Sequence, residues 1–483
     1  MSRPCLLLLG IDVVFAHVSG SCINHVGRAD LVMLRRGFCR SIPLLGPTFT
    51  ELVERLDSFE KEFIEWKAFR KAVESTSPKV TEAAKEIIAE SMKEVKTSKV
   101  NLENPLTPEE FTELNQFYAK QKVKDIFFEN LLYINTPNDL MQHSETVFRQ
   151  YLVRIARRVR HLNHAPYGLS QMPGIQMLKK WYQWSFHDVR STPVPTTRDE
   201  CYRCDRMVRR VFLRHYNVSS LITDGMVEFA SREGWTHVDE EVMRTYDELQ
   251  NFFEAFCLGR VRLRFLVGNY MYLSTKILGV SKEEYAVNDP DGLTVPIFFD
   301  HNAEDFVGQI CKKCSLLVLT KCAIKEAQAS YDAEIELKLA GDPNLVFVGI
   351  PYITYDIICA MLEDAVSANV DRQERTGKAC TKIEVTLAQW PTNKRFVLRI
   401  SDTAGGMTLR QASKQLSCWS LYRNIQGHNQ DTISTWTSSP IRLPYAYNAA
   451  RVIGGNITLA SIEGYGTDRQ LYLPSTGLAG VSL

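Results

Sequence analysis

Apolar residues at helical spacing dominate the stretch Pro351–Asp371, which reads PYITYDIICAMLEDAVSANVD. Ile358, Met361 and Ala365 recur every three or four positions, the spacing of one buried helix face. A strand-like run, Leu345–Gly349, leads into this stretch, and a proline suits the first turn of a helix. The pattern predicts an amphipathic helix packed on a core.

Two strand-like runs follow this helix, Lys382–Leu387 and Arg395–Ile400. Ser401–Gly406 reads SDTAGG immediately after the second run, and Glu463–Asp468 reads EGYGTD near the end of the chain. Glycines in such clusters mark tight turns. The C-terminal half is therefore predicted to contain a helix, a strand pair that ends in an aspartate, and two glycine turns. Before it, a helix is expected over Asp305–Ala329.

The N-terminal half has a different pattern, with long helices from Ser144 onwards. Apolar residues at helical spacing predict a packed face, and arginines interleave with them on the other face; the arginines are Arg149, Arg154, Arg157, Arg158 and Arg160. Such a basic stripe can contact RNA, here through Arg154, Arg157 and Arg158, or it can be an ordinary solvated face. The aromatic residues Trp181, Tyr182, Phe252 and Phe256 are expected in the core because they recur at helical spacing.

The first hundred residues differ again in composition. Met33–Pro43 lies in a run that is rich in arginine and free of acids, as in a mitochondrial presequence. Residues 1–48 are thus predicted to be a targeting region, with translation starting at Met33, and residues 49–104 a helical extension or linker. An ordinary disordered tail is the alternative.

Composition restricts the function less than the pattern does. The 483 residues suggest two or three domains, and Lys plus Arg (57) balance Asp plus Glu (56), so overall charge indicates no partner. No run is long and apolar enough to predict a membrane span. Twelve scattered cysteines favour free thiols in a reducing compartment. The pairs Cys201/Cys204 and Cys311/Cys314 allow a zinc site, but ordinary thiols on helix faces are the simpler interpretation.

Taken in order, these segments resemble the mitochondrial pyruvate and branched-chain ketoacid dehydrogenase kinases of the GHKL superfamily. The resemblance rests on the Trp181-Tyr182 pair, the Arg214-His215 segment, the helix around Phe252–Val261 and the C-terminal motifs. It implies an α+β fold: an N-terminal four-helix bundle over residues 105–287, then a GHKL-type α/β sandwich ATPase domain over 293–476. Residues 477–483 would form a short tail.

The family resemblance implies a site for ATP and magnesium, and this chain departs from its motifs. The position of the family's catalytic Glu holds Ala360, which can neither accept a proton nor orient a nucleophile. The position of the magnesium-binding Asn holds Asp364, a carboxylate that can still bind magnesium. The family's Lys position holds Glu363, a reversal of charge. The adenine-binding aspartate is retained as Asp402.

The phosphate-binding motif departs furthest. All three of its glycines are replaced in Ser438–Pro444, which reads SSPIRLP, so side chains stand where bare amides would face phosphate. Gly406 and Thr467 are retained, and Arg442 is a candidate to replace the lost amides with its guanidinium. His215 is a weak candidate for a catalytic base, because the acidic residue expected two positions after it is absent and Asn217 stands there.

Two functions are consistent with these residues. The first is a mitochondrial matrix protein with a decayed active site, a pseudokinase that acts as a binding or scaffolding subunit of a larger complex. The alternative is an active ATP-dependent protein-serine/threonine kinase of a ketoacid dehydrogenase complex. The resemblance implies ATP and magnesium as cofactors. The degraded motifs make it an alternative that neither of them binds. Expected partners are a protein complex, such as a ketoacid dehydrogenase core, and a second copy of the chain.

Overall fold

The structure is a computed structural model that describes residues 106–215, 218–278, 308–330, 335–390, 395–422, 441–478 and 480–482. The predicted targeting region (1–48) with Met33, the extension (49–104), the expected domain boundary near 288–292, and Asn217 lie outside these residues. Within the described ranges, no helix has the length and apolar character needed to cross a membrane.

Residues 106–278 are mostly helical. The helices are α1 Pro108–Lys120, α2 Phe128–Leu131, α3 Pro137–Asn163, α4 Pro173–Ser191, α5 Arg198–Arg214, α6 Val218–Arg232, α7 Glu240–Thr245 and α8 Glu248–Leu278, with a 3-10 turn at Pro166–Gln171. Capping boxes begin three of them, and in α5 the box is formed by Thr197 and Glu200. In α1 the Thr107 hydroxyl accepts from the Glu110 amide while the Glu110 carboxylate accepts from the Thr107 amide, and Thr136 and Asp139 repeat this arrangement in α3.

These helices pack through their apolar faces. The long helix α3 lies against α1, α4 and α8, while α5 packs on α8 and α6 on α4. Tyr182, Phe252 and Phe256 are buried as predicted, and Trp181 is only partly buried at the edge of the core. The apolar faces predicted from the sequence therefore form the interior of this helical part.

Residues 308–482, the sheet part, mix strands and helices. The elements are β1 Cys311–Ser315, α9 Leu316–Ser330, β2 Leu337–Gly341, β3 Val346–Gly349, α10 Pro351–Thr376, β4 Ile383–Trp390, β5 Arg395–Asp402, α11 Leu409–Gln415, a 3-10 turn at Cys418–Tyr422, α12 Arg442–Val452, β6 Asn456–Ile462 and β7 Gly466–Pro474. The expected helix over Asp305–Ala329 begins only at Leu316, because Cys311–Ser315 pair with β3 as a strand. Long-range pairing overrides the local pattern there.

Five strands form one sheet in the order β2-β4-β5-β7-β6, with β2 parallel to β4 and the other pairs antiparallel. Helix α10 packs against β5 and β7 and against α9 and α12. Every second residue of β5 and β7 is buried. Together with the helical part, this sheet makes the chain an α+β protein.

The two parts touch along α12, which packs on α8, and through the Arg451–Glu254 ion pair at 2.9 Å. The last residues return to the body of the protein: the Leu478 amide donates to the Val348 carbonyl, and the Phe128 amide donates to the Val481 carbonyl. The predicted short tail is thus hydrogen-bonded to both parts.

Candidate functional site

A cavity of about 520 Å³ opens between α10, the loop after β5, α11 and the start of β7. It brings together four of the residues singled out in the sequence: Asp364, Asp402, Gly406 and Thr467. His237 and Val238, from the connection between α6 and α7, add a wall from the helical part. Arg442, Ala360 and His215 do not line this cavity.

The glycine loop beside the cavity is held by backbone contacts with the β6–β7 turn. The Gly405 amide donates to the Tyr465 carbonyl, and the Gly464 amide donates to the Gly405 carbonyl. Gly406 has a φ of +61°, and a Cβ there would lie 2.0 Å from the Ile462 carbonyl oxygen. This close approach requires a glycine. The retained glycine thus has a structural role that is independent of any ligand.

An arginine that the motif comparison did not single out lies between the two acidic residues of the site. The fully buried side chain of Arg469 donates from Nε to Asp364 Oδ2 at 2.7 Å and from Nη1 to Asp402 Oδ2. We call Arg469, Asp364 and Asp402 the Arg469 triad. It joins β7 and the end of β5 to α10 through charge-assisted hydrogen bonds inside the protein.

The Arg469 triad changes what Asp402 can do. Burial alone would lower the pKa of Arg469, but the charges of Asp364 and Asp402 outweigh burial and raise it, so the guanidinium stays charged. Asp402 Oδ2 accepts from Arg469, and Oδ1 accepts from the Ala404 amide at 2.8 Å. Each carboxylate oxygen of Asp402 therefore already has one donor from the protein, and a ligand amino group would have to share an oxygen that the fold uses.

Magnesium does not fit these residues either. Asp364 is the candidate metal ligand, and its Oδ2 is bonded to a guanidinium, whose positive charge would repel a divalent cation. In the part of the chain that the structure describes, no group of three or more His, Cys, Asp or Glu side chains is arranged to hold a metal ion. Because the residues present do not fit a magnesium–ATP complex, we derive no transfer step at this site.

Arg442, the candidate phosphate ligand, is engaged elsewhere. Its guanidinium lies 3.3 Å from Asp356 Oδ1 and 3.1 Å from Glu363 Oε2, with only 14% of the side chain exposed. Glu363 is the reversed charge noted in the sequence, so the two departures from the family pattern meet as an ion pair. Ser438–Pro440, the rest of this motif, lie outside the described residues. Ala360 is buried in the core of α10.

The segment that follows α11 is packed against the helical part. Cys418–Tyr422 form a buried 3-10 turn, and the Cys418 amide donates to Gln250 Oε1 at 2.8 Å. The ring of Tyr422 meets Trp235 edge-on at 5.2 Å between centroids. The Lys414 ammonium donates to the Val238 carbonyl at 2.6 Å. These contacts fix the wall of the cavity to α8 and to the connection between α6 and α7.

His215, the weak candidate for a base, is buried in the helical part. Its Nε2 contacts the Ser185 hydroxyl at 2.9 Å, and its neighbour Arg214 pairs with Asp188 at 2.6 Å. Burial lowers the pKa of His215 well below its ordinary value, and the charges of Arg214 and Arg260 lower it further. A neutral, enclosed imidazole far from the cavity is a structural residue, as an isolated mid-helix histidine usually is.

The arginine stripe of α3 is largely used within the fold. Arg154 is buried, and Arg157 donates to the Gln121 carbonyl at 2.7 Å. Arg158 donates to the Ala255 and Phe256 carbonyls of α8. These side chains hold helices together, so RNA contact through them stays a prediction without structural support.

One sequence signal would have identified Arg469. In β7 the residues Thr467, Arg469, Leu471 and Leu473 alternate towards the core, and all are buried. An arginine in an inward strand position needs a carboxylate partner, because buried charge is rarely left unpaired. The alternation was readable in the sequence, but the partners were not.

The fold and the cavity define the class of protein: a mixed α+β protein with a small-molecule-sized pocket between its sheet, α10 and the helical part. Comparison with known proteins shows which family the chain is similar to. A family profile described as "Mitochondrial branched-chain alpha-ketoacid dehydrogenase kinase" matches residues 125–311. The mitochondrial pyruvate dehydrogenase (acetyl-transferring) kinase of Arabidopsis thaliana is 23% identical over 357 residues, 71% of this chain and 87% of the plant protein.

Animal relatives give the same result. Isozyme 1 of the mitochondrial pyruvate dehydrogenase kinase from Homo sapiens is 22% identical, covering 74% of this chain and 78% of the human protein. Isozyme 4 from Rattus norvegicus is 23% identical, covering 74% of this chain and 82% of the rat protein. Over most of its length the chain is thus similar, at low identity, to the pyruvate and branched-chain ketoacid dehydrogenase kinases.

Proposed function

We propose that this protein is a pseudokinase of the dehydrogenase kinase family that works as a binding or scaffolding subunit. The Arg469 triad is the observation that carries the proposal. An internal guanidinium occupies the acceptors that a nucleotide and its metal would need, and it stabilises the site without either. Ala360 offers no base, and Arg442 is held by two carboxylates.

The proposal includes the architecture expected for this family. Helices α3, α4, α8 and the α5–α6 pair would be the four members of the bundle, since each of them packs on at least one of the others. The sheet with α9, α10 and α12 would correspond to the GHKL-type sandwich. The proposed domain limits are 105–287 and 293–476.

Location and partner come from the relatives. Those described above are named mitochondrial kinases of pyruvate dehydrogenase. By that likeness, we place this chain in the mitochondrial matrix, with a ketoacid dehydrogenase complex or another large mitochondrial assembly as its partner. Homodimerisation is a further element of the proposal.

The names of the relatives favour a second candidate function, ATP-dependent phosphorylation of a ketoacid dehydrogenase subunit. A transfer assay separates the two. The full-length chain is incubated with magnesium, labelled ATP and the dehydrogenase subunit, beside an active relative as positive control. The pseudokinase proposal predicts no labelled subunit with this chain. Labelling of the dehydrogenase subunit that depends on this chain would establish that the chain is an active kinase.

Affinity purification of the protein from mitochondria tests the scaffolding role directly. The expected result is stable, stoichiometric co-purification with one large complex, in the absence of added nucleotide. Recovery of the protein alone, at every salt concentration tried, would contradict a scaffolding subunit.

A further inference from the structure

Four arginines lie together where α3 packs on α8. Arg157 is exposed, Arg158 and Arg262 are half-buried, and Arg154 is buried. Burial lowers the pKa of Arg154 to about 10, and the charges of the other three arginines contribute to that lowering. The four guanidinium groups therefore act on one another through their charges. We call these four residues the basic cluster.

On one side the basic cluster reaches the backbone of α8. Nη1 of Arg158 donates to the Ala255 carbonyl at 3.0 Å and to the Phe256 carbonyl at 3.2 Å. A Cβ on Gly259 would lie 1.9 Å from Nη2 of Arg158, so the guanidinium rests on the bare helix backbone at this glycine. Arg262 follows Gly259 by three residues, which places the two on the same face of α8. The charged group of Arg158 therefore adjoins Arg262.

On the other side the basic cluster reaches the end of α1. Nη2 of Arg157 donates to the Gln121 carbonyl at 2.7 Å. The connection that follows carries the exposed residues Lys122 and Lys124, and the Lys124 amide donates to Oε1 of Gln150 on α3 at 2.8 Å. This connection therefore lies along α3 and adds two cations beside the cluster.

The positive charge of the basic cluster is poorly compensated inside the protein. Among the side chains that the structure describes, no carboxylate lies within ion-pair distance of Arg157, Arg158 or Arg262. Their hydrogen-bond acceptors described above are neutral carbonyls, which leave the charge in place. Asp125 raises the pKa of Arg154, but by less than each of the three arginines lowers it. A concentration of one sign of charge attracts a partner of the opposite sign.

The extent of the basic cluster restricts the class of that partner. On α3, Arg149 is already paired with Glu145 at 3.0 Å, and Arg160, one turn beyond Arg157, is the last arginine of the helix. The acidic residue Asp125 follows the two lysines. A nucleic acid carries a charge at every nucleotide and is bound along a continuous basic groove. A compact cluster of guanidinium forks instead matches a few neighbouring carboxylates, which each fork can bind with two hydrogen bonds.

We propose that the basic cluster is a docking surface for a short acidic segment, rich in Asp or Glu, of a partner protein. The proposal rests on the scaffolding function proposed above and names one surface that performs it. Arg157 and Arg158 are held in place by their carbonyl contacts, so that binding orders them little further and costs less entropy. Arginine is also among the residues that contribute most at protein interfaces.

Fluorescence anisotropy of a labelled peptide that carries a run of glutamates, titrated with the full-length protein, tests the surface. We expect saturable binding that weakens as salt is added, because salt screens exposed charges. The same peptide with glutamine in place of glutamate should not bind. Single-stranded RNA of the same net charge is the competing arm and should bind more weakly. Absence of binding to the acidic peptide, or tighter binding of the RNA, would overturn the assignment.

Single substitutions locate the binding surface. Arg157→Gln and Arg262→Gln should each weaken binding of the acidic peptide by about fivefold or more, since each removes a charge that faces it. Arg149→Gln is the matched control on α3. It removes the same charge about 12 Å away along the helix, and it should leave binding within about twofold because salt screens charges over that distance. Near-ultraviolet circular dichroism verifies that each variant is folded. Unchanged binding in both cluster variants, or an equal loss in Arg149→Gln, would contradict the proposal.

Affinity purification from mitochondria separates this proposal from the function on which it rests. The complex that co-purifies with the unaltered protein should be lost from a variant that combines Arg157→Gln and Arg262→Gln, and kept by Arg149→Gln. A complex that stays bound to the combined variant would overturn the docking surface and leave the scaffolding role intact. If no complex co-purifies with the unaltered protein, the scaffolding role itself is contradicted, and the docking surface with it.

Discussion

Both parts of the molecule contain a buried arginine bonded to aspartate, and the two arginines have different surroundings. In the helical part, Arg214 pairs with Asp188 and also donates to the Ser185 hydroxyl, among closely packed helices. The cavity beside the adjacent His215 measures only about 20 Å³. In the sheet part, Arg469 bonds to two aspartates next to a cavity of about 520 Å³.

The comparison shows two roles for a buried ion pair between arginine and aspartate. The Arg214–Asp188 pair joins two helices that would be in contact anyway. The Arg469 triad stands at a site where the resemblance implies a metal and a nucleotide, and there the arginine donates to both acidic side chains. A substitution in each part measures how much its ion pair contributes to the unfolding free energy.

The largest effect is expected for Arg469→Met. It leaves Asp364 and Asp402 buried as like charges without a cation, and breaking a buried pair in this way costs about 3–5 kcal/mol of unfolding free energy. Urea unfolding measures it. Arg399→Met is the matched control in β5, because its pair with Asp468 is exposed and should contribute only about 0–1 kcal/mol. Equal losses in the two variants would show that the Arg469 triad has no special role.

A smaller loss is expected for Asp188→Asn in the helical part. The amide keeps the shape and one acceptor for Arg214 but removes the charge, and a hydrogen bond to a charged group contributes about 1.5–3 kcal/mol. Urea unfolding checks this value as well. A loss larger than that of Arg469→Met would reverse the ranking of the two regions.

Acid is expected to weaken the helical part specifically. Burial lowers the pKa of His143 to about 4, and burial together with Arg158 lowers that of His161 to about 3. The unfolded chain binds protons at each histidine near its ordinary pKa of about 6.5, so stability is full above that pH and falls as the pH drops towards the folded values. Each histidine contributes a slope approaching about 1.4 kcal/mol per pH unit in this window.

The variant His143→Gln tests this pH dependence. Urea unfolding at a series of pH values between 4 and 7 should show a shallower loss of stability than in the unaltered protein. The described residues of the sheet part include no histidine, so its local unfolding should show little dependence over the same window. An unchanged slope in the variant would exclude His143 as a source of the acid sensitivity.

Local elements were largely predictable from the sequence. The predicted helix over 351–371 is α10, which continues to Thr376 and ends at Gly377 in the left-handed conformation, and both predicted strand runs are strands. The strand β1 was missed, because its pairing with β3 depends on residues some thirty-five positions away. The spacing of apolar residues predicts which face of an element is buried, but it does not predict which other element packs on that face.

The candidate site was only partly predictable. The motifs located Asp364, Asp402, Gly406 and Thr467 at one cavity, because each lies at the end or on the inner face of an element with a clear pattern. Arg469 is 105 residues from Asp364 and 67 from Asp402, and only the register that places it opposite Ile400 brings the three together. Arg442 was expected at phosphate, yet its carboxylate partners Asp356 and Glu363 lie nearer.

The account rests on the claim that internal ion pairs have replaced magnesium and ATP. Calorimetric titration of the full-length protein with ATP and magnesium, run beside a phosphate-transfer assay, tests this claim most directly. The account predicts ATP binding weaker than a Kd of about 1 mM, or none, and no transfer. Binding in the micromolar range, with transfer that is lost when Arg442 is replaced, would contradict it.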